Sequence, residues 1–333
     1  MNRSASPVLF GFKFQVNSAI VLMLENIIPL KTLKLEGEED IEILLENGSY
    51  VLAQAKGIVN ASTDFSNVRS KLKGALESLS DASNRVGNIK QLIYITNSPN
   101  PLNDEKSKPQ FYGPAHRKYS DLPIESQAIV KNCLEAIAAP LDPSSLTIQV
   151  LPFESDDPKE RYKVVFESIS DFLGTLNLSV DGLRAKLHET WEQTVFENGT
   201  KKDGSIKLSK KDILWPLIVC LVDKSRITDD DINCSGLDES EFNELMFKYE
   251  SIIDSKCEKF EFVTRVISDY ERLRGKGSNA IQEFVERYWM LYNDDLDSDA
   301  IEPSIRPSLI KVIVSNVLSN RHKINSVKTS CNL

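Results

Sequence analysis

The sequence lacks the clustered cysteines and histidines of a zinc site. It has three histidines, His116, His188 and His322, and five cysteines, Cys133, Cys220, Cys234, Cys257 and Cys331. No two cysteines stand in CxxC spacing and the histidines are scattered, so no zinc site of clustered thiolates and imidazoles is readable. An odd number of widely spaced cysteines reads as reduced thiols in a cytosolic protein. Basic charge is in deficit: 40 Lys and Arg against 49 Asp and Glu leave a formal net charge of -9. That weighs against a broadly basic nucleic-acid binder, but leaves room for a local basic groove. No apolar run approaches the ~20 residues of a membrane helix. The opening MNRSASPVLFGF also lacks the apolar core of a secretory signal. The expectation is a cytoplasmic chain with no membrane contact. Phosphate and calcium loops are missing too. KKDGSIKLSKKD (201–212) lacks the order GxxxxGK[ST] and reads as a loop before a helix. Asp229-Asp230-Asp231 and DDLDSD (294–299) lack the glycine and glutamate of an EF-hand and read as solvated linkers.

What is present is an ordinary globular composition, 41% hydrophobic and 27% charged. At ~100–200 residues per domain, 333 residues predict two domains. Residues 12–28 carry Phe14, Ala19, Leu22, Met23 and Ile27 at helical spacing, and Pro29 stops the helix. Leu33 and Leu35, then Ile41 and Ile43, alternate with polar residues and predict two strands with Gly37 at the turn. Asn47-Gly48 is a hairpin signal leading into a third strand, SYVLAQAKGIV. A helix from Thr63-Asp64 to about Asp81 shows Phe65, Val68, Leu72, Leu76 and Leu79 on one face. QLIYITN (91–97) and LTIQVLPF (146–153) read as buried strands, 97–118 as a long loop and 123–138 as a helix.

After the charged stretch 154–162 only helices are predicted: 158–175, 180–197, 209–225, 238–273, 279–293 and 306–322. The expected organisation is an α/β domain over 1–157, with a mixed sheet flanked by helices, and an all-α domain over 158–333. Trp191, Trp215 and Trp289, with Phe242, Phe247 and Tyr288, are the expected core of the helical domain, or in part an oligomer interface.

The polar residues on the strands carry the chemistry. Asp40 opens the second strand; Gln54 and Lys56 stand two apart on the third and so share a face. Adjacent strands can bring Asp40 beside them. Mg²⁺ is a hard cation that takes oxygen ligands and keeps several waters. The Asp40 carboxylate, the Gln54 amide oxygen and the Ala55 carbonyl fit that need. Phosphodiester hydrolysis would use the metal to activate a water. Lys56 would orient or deprotonate that water, or stabilise the pentavalent oxyanion.

The segments GFKFQ (11–15), LEGEEDIEI (35–43), YVLAQAKG (50–57), LIYITN (92–97) and IQVLPF (148–153) give the first half of the chain a family resemblance. It resembles the PD-(D/E)xK double-stranded-DNA endonuclease domain of prokaryotic antiphage systems, the group associated with cyclic-oligonucleotide signalling and with ATPase-partnered modules. That group commonly has QxK in place of (D/E)xK. The resemblance implies a restriction-endonuclease-like fold, Asp40 and Gln54 as ligands of Mg²⁺ or Mn²⁺, and Lys56 as the catalytic lysine. Gln15 and Glu36 match supporting positions, and Glu42 is held with them. It covers about 155 residues and does not extend to the helical half.

Arg69, Lys71, Lys73 and Lys90, with Arg117 and Lys118 in the loop, can line a phosphate-tracking groove, with Phe111, Tyr112 and Tyr119 stacking on bases. An ordinary solvated helix face and polar loop fit the same residues. The function expected is a metal-dependent DNA endonuclease acting as an antiphage effector, a homo-oligomer gated by assembly or by a partner. The alternatives are a nuclease-fold scaffold for a partner ATPase, and a structural adaptor in which Asp40 and Lys56 only form an ion pair.

Overall fold

The structure is a computed structural model that describes residues 6–179, 182–222, 229–275, 279–296 and 301–333. The chain forms two compact units, one running through Ile213 and the other from Leu214 to Leu333.

The first unit is mixed α/β. It runs α1 (Ser6–Glu25), β1 (Leu30–Leu35), β2 (Ile41–Leu45), β3 (Tyr50–Lys56), α2 (Val68–Val86) and β4 (Ile89–Thr96). Then come β5 (Ala115–Lys118), α3 (Ile124–Leu134), β6 (Leu146–Val150), α4 (Pro158–Arg161), α5 (Lys163–Thr175), α6 (Leu183–Gly199) and β7 (Leu208–Ser209), with α7 (Lys210–Val222) crossing into the second unit. The seven strands form one sheet in the order β5-β6-β4-β3-β2-β1-β7. β1, β2 and β3 run antiparallel as consecutive neighbours, while β3, β4 and β6 are parallel.

Alternation sorts the strand residues onto two faces. Leu52, Leu92, Tyr94 and Ile148 join Leu72, Leu76 and Leu79 of α2, and Val130 and Leu134 of α3, in one core. Val51, Ala53, Ile93 and Ile95 take the other parity and are also buried. α1 packs against β1, β2 and β3 and also against α5 and α6. It is buried without a break from Phe14 to Leu24. A helix apolar all round needs partners all round, and α5 and α6 supply the second set. α1 is long and apolar enough to cross a membrane by length and composition, with a mean hydropathy of 1.5. Here it is a core helix between sheet and helices.

This packing moves the expected boundary at 157/158. α5, α6 and β7 belong with the sheet, and the first unit ends at Ile213. α6 packs on β1, and Asn198, buried in its last turn, accepts the Leu35 N–H (3.3 Å) and donates to the Ile206 carbonyl (3.1 Å). That steers residues 206–209 along the free edge of β1, where Leu208 pairs with Leu33 and Ser209 with Thr32. A two-residue strand leaves no periodicity for a sequence reading to find. α2 starts four residues later than expected. The Asp64 carboxylate takes the Ser66 N–H (3.0 Å) and hydroxyl, a local turn that competes with helix. Trp191, expected in the helical domain, is buried in the first unit and donates to the Ile213 carbonyl (2.8 Å).

In the second unit α8 (Asp229–Ser235), α9 (Glu239–Lys248), α10 (Glu250–Cys257), α11 (Phe260–Leu273), α12 (Ala280–Tyr288), α13 (Arg306–Ser319) and α14 (Arg321–Cys331) follow α7. α13 is the centre, with Leu309, Ile310, Ile313, Val314, Val317 and Leu318 buried. α8, α10, α11 and α12 pack around it. The single helix expected over 238–273 is three, α9 to α11. No glycine or proline lies between 237 and 274, so no residue type marks these breaks. Phe242 is in the core, whereas Phe247 stands 85% exposed. The triple aspartate opens α8 rather than a linker. Residues 297–299 of the DDLDSD stretch, 180 at the start of the 180–197 helix, and 223–225 at the end of the 209–225 helix lie outside the described residues.

Candidate active site

The β1–β2 turn sets the position of Asp40. Glu36 has φ of +55°, a left-handed conformation that costs a non-glycine residue about 1 kcal/mol. The turn closes by Glu36 N–H to Asp40 carbonyl (3.0 Å) and Gly37 N–H to Glu39 carbonyl (3.0 Å). A Cβ on Gly37 would lie 2.7 Å from Glu42 Oε2, so a side chain there would push the Glu42 carboxylate out of place. Gln15 of α1, itself buried, staples the turn. Its Nε2 donates to Glu36 Oε1 (2.7 Å) and to the Asp40 carbonyl (3.0 Å).

Register does the rest. Ile41 pairs with Ala53, which sets Asp40 beside Gln54. Asp40 Oδ2 accepts from Gln54 Nε2 and from the Ala55 N–H (2.9 Å), and Lys56 Nζ lies 3.9 Å away. The N–H and C=O of one strand residue face the same neighbour. The Ala55 carbonyl therefore also faces the Asp40 side. Asp40, Gln54, Ala55 and Lys56 are brought together as the sequence predicts.

β4 fixes the end of β3. Thr96 Oγ1 donates to the Lys56 carbonyl (2.8 Å). Asn97 holds Ile58 from both sides, accepting its N–H at 2.8 Å and donating to its carbonyl at 2.7 Å. Thr96 and Asn97 were legible only as the end of a strand, and their role comes from the parallel register Lys56↔Thr96.

Electrostatically the site disfavours bare carboxylates. Burial pushes Asp40 above the ordinary carboxylate range; Lys56, the Ala55 N–H and the Gln54 amide pull it back, and Glu36 adds to the rise. Glu39, absent from the sequence-based set, is buried beside it and accepts from Ser78 Oγ of α2 (2.6 Å). Burial, with Asp40 adding, lifts Glu39 from 4.5 to about 7 against the Ser78 bond. A half-buried acid beside a buried one gains from a cation, which would favour their ionised forms.

The oxygen set fits a hard divalent ion. No described hydrogen bond engages Asp40 Oδ1 or Gln54 Oε1, and the Ala55 carbonyl faces the same side. These are oxygen donors of the kind Mg²⁺ or Mn²⁺ takes, few enough to leave water in the shell. Among the described residues no group of three His, Cys, Asp or Glu side chains is gathered, so the carboxylate count is low. Glu42, two residues along the same strand face, is committed elsewhere: Lys207 pairs with its Oε1, and the Glu38 N–H donates to its Oε2 (3.2 Å).

The expected basic groove separates into parts. Lys71, in the first turn of α2, reaches the Gly57 carbonyl (3.3 Å) next to Lys56. Lys73 pairs with Glu77 on the outer helix face (3.7 Å), and Arg69 lies near Asp104 of the following loop. Lys90 sits at the other end of the sheet. Ile89 pairs with Tyr50 while Thr96 pairs with Lys56, a separation of about 20 Å at ~3.3 Å per residue. Arg117 and Lys118 are on edge strand β5, three strand spacings or ~14 Å across the sheet from β3. Arg117 donates to the Gln110 carbonyl (3.0 Å). Phe111 is fully buried in the core and unavailable for stacking, Tyr119 packs partly against that core, and Tyr112 is 89% exposed.

No protein-family model, no curated protein and no solved structure matches this chain.

Proposed function

We propose that the first unit is a metal-dependent DNA endonuclease of the PD-(D/E)xK type, with Asp40, Gln54 and Lys56 as its centre. The observation that carries this reading is the convergence of one carboxylate, one side-chain amide, one strand carbonyl and one lysine at the β2–β3 register. The element order of α1, three antiparallel strands, α2 and a parallel β4 supports the same fold reading.

In this reading Asp40 Oδ1, Gln54 Oε1 and the Ala55 carbonyl hold Mg²⁺ or Mn²⁺. The ion, when bound, supplies an activated water and offsets charge on the phosphate. Lys56 hydrogen-bonds the attacking water or a phosphate oxygen, its position fixed by Thr96 and Asn97. Gln15 and Glu36 hold the Asp40 turn. The substrate is double-stranded DNA, and the setting is bacterial antiphage defence. The helical second unit provides oligomerisation or contact with an activator.

The test is plasmid cleavage with Mg²⁺ or Mn²⁺. Lys56→Ala is expected to abolish cleavage with folding and assembly intact. Full cleavage by that variant refutes the site. The low carboxylate count at the site, with no group of three acidic, His or Cys side chains among the described residues, favours one other reading, a catalytically inactive nuclease-fold subunit that binds a partner ATPase. That protein would bind its partner and cut nothing, alone or in complex.

A further inference from the structure

We propose that Lys71 is a second substrate-binding cation of this centre, holding with Lys56 the same phosphate group. This rests on the nuclease reading for the identity of the phosphate, and on independent geometry for the anion site.

The geometry begins at Gly57. A Cβ there would lie 3.1 Å from Phe14 Cβ and 3.3 Å from Phe10 Cε1, so the backbone after Lys56 is seated directly on α1. Its carbonyl is a fixed point. Lys71 projects from the first turn of α2 and donates to that carbonyl at 3.3 Å, which brings its half-buried ammonium next to the residue that follows Lys56.

Its neighbours on α2 show what is unusual. Lys73 has Glu77 at 3.7 Å, and Arg85 has Glu38 at 2.9 Å. In the described contacts Lys71 has a neutral carbonyl and no carboxylate. The nearest acidic influence, Asp64, is engaged by Ser66. Among the described ion pairs of either lysine, Asp40 lies 3.9 Å from Lys56 with its Oδ2 taken by Gln54 and Ala55, and Glu39 also feels the Lys56 charge. Burial and the proximity of Lys56 lower the Lys71 pKa.

Asp40 and Glu39 both act on Lys56, whereas Lys71 pairs with no carboxylate in the described contacts, so its charge is left for a mobile anion to offset. An ammonium has three donors; the Gly57 carbonyl uses one. The other two are free for non-bridging oxygens of a phosphate, which a lysine binds as a point charge. Charge that builds on those oxygens during attack then meets two cations rather than one.

The experiment uses the full-length chain. Lys71→Gln keeps an N–H that can donate to Gly57 but removes the charge, so a purely structural tether survives it. Cleavage of plasmid with Mn²⁺ and binding of a short duplex in EDTA are measured for wild type, Lys71→Gln and Lys71→Arg. The expected result for Lys71→Gln is a fall in kcat of about tenfold or more. Duplex affinity in EDTA should fall no more than about threefold, as for one contact among many, and Lys71→Arg should recover part of the rate. An unchanged kcat/KM overturns the proposal.

A second readout does not need cleavage. Inorganic phosphate is titrated into metal-free protein while the lysine side chains are followed by NMR. Lys56 and Lys71 are expected to respond together, and Lys71→Gln to weaken the Lys56 response at least about fivefold. A Lys56 response indifferent to Lys71→Gln, or no response at either lysine, overturns the paired site. Paired phosphate binding without cleavage in any condition would uphold the anion site and count against the nuclease reading alone.

Discussion

Glu39 gives the sharpest test of the electrostatics. It is 5% exposed, accepts a hydrogen bond from Ser78, and has its pKa raised from 4.5 to about 7. A carboxyl whose folded pKa lies above its unfolded value favours the native state while protonated in both. The contribution is full below pH 4.5 and is lost as pH rises towards 7. At 1.36 kcal/mol per pH unit the upper bound is ~3 kcal/mol. Water penetration and relaxation reduce that, so the expected loss is about 1–2 kcal/mol.

Glu39→Gln removes the titration and keeps an acceptor for Ser78. In EDTA the variant should therefore match wild type near pH 4.5 and exceed it by about 1–2 kcal/mol above pH 7. Urea unfolding across this range measures it. Trp191 fluorescence, in a background with Trp215 and Trp289 replaced by phenylalanine, reports the first unit. A difference between the two proteins that does not change with pH refutes the reasoning, and so does a wild type favoured at high pH.

Two further outcomes follow from the packing. Gln15→Ala removes both hydrogen bonds that hold the Asp40 turn, which should cost about 1–2 kcal/mol. Under the nuclease reading it should also lower kcat about tenfold with little change in duplex binding; unaltered cleavage would show that the turn holds itself. A fragment ending at residue 157 exposes the side of α1 that α5 and α6 cover, and should aggregate or fail to unfold cooperatively. One ending at residue 213 should be monodisperse with a cooperative melt. Cooperative unfolding of the shorter fragment would refute the boundary.

The sequence by itself determined the strands and their faces, because a period of two is written in Leu33, Leu35, Ile41 and Ile43 and broken at Asn47-Gly48. It also determined that Gln54 and Lys56 share a face, and it placed Asp40 at the mouth of the adjacent strand. These are local facts about chain geometry. Tertiary structure decided the rest. Glu39 and Glu42 look alike in the string EGEEDIE, and only packing separates an acid buried against Ser78 from one paired with Lys207, 165 residues on. Lys71, Lys73 and Lys90 look like one basic run, yet only Lys71 turns to the centre, because helix phase and strand register disperse the others. The extent of the first unit was hidden for the same reason. α1 is apolar all round, but only the folded chain shows that its second set of partners comes from residues 163–199. Burial, pairing and pKa belong to groups brought together across the chain, and no local pattern carries them.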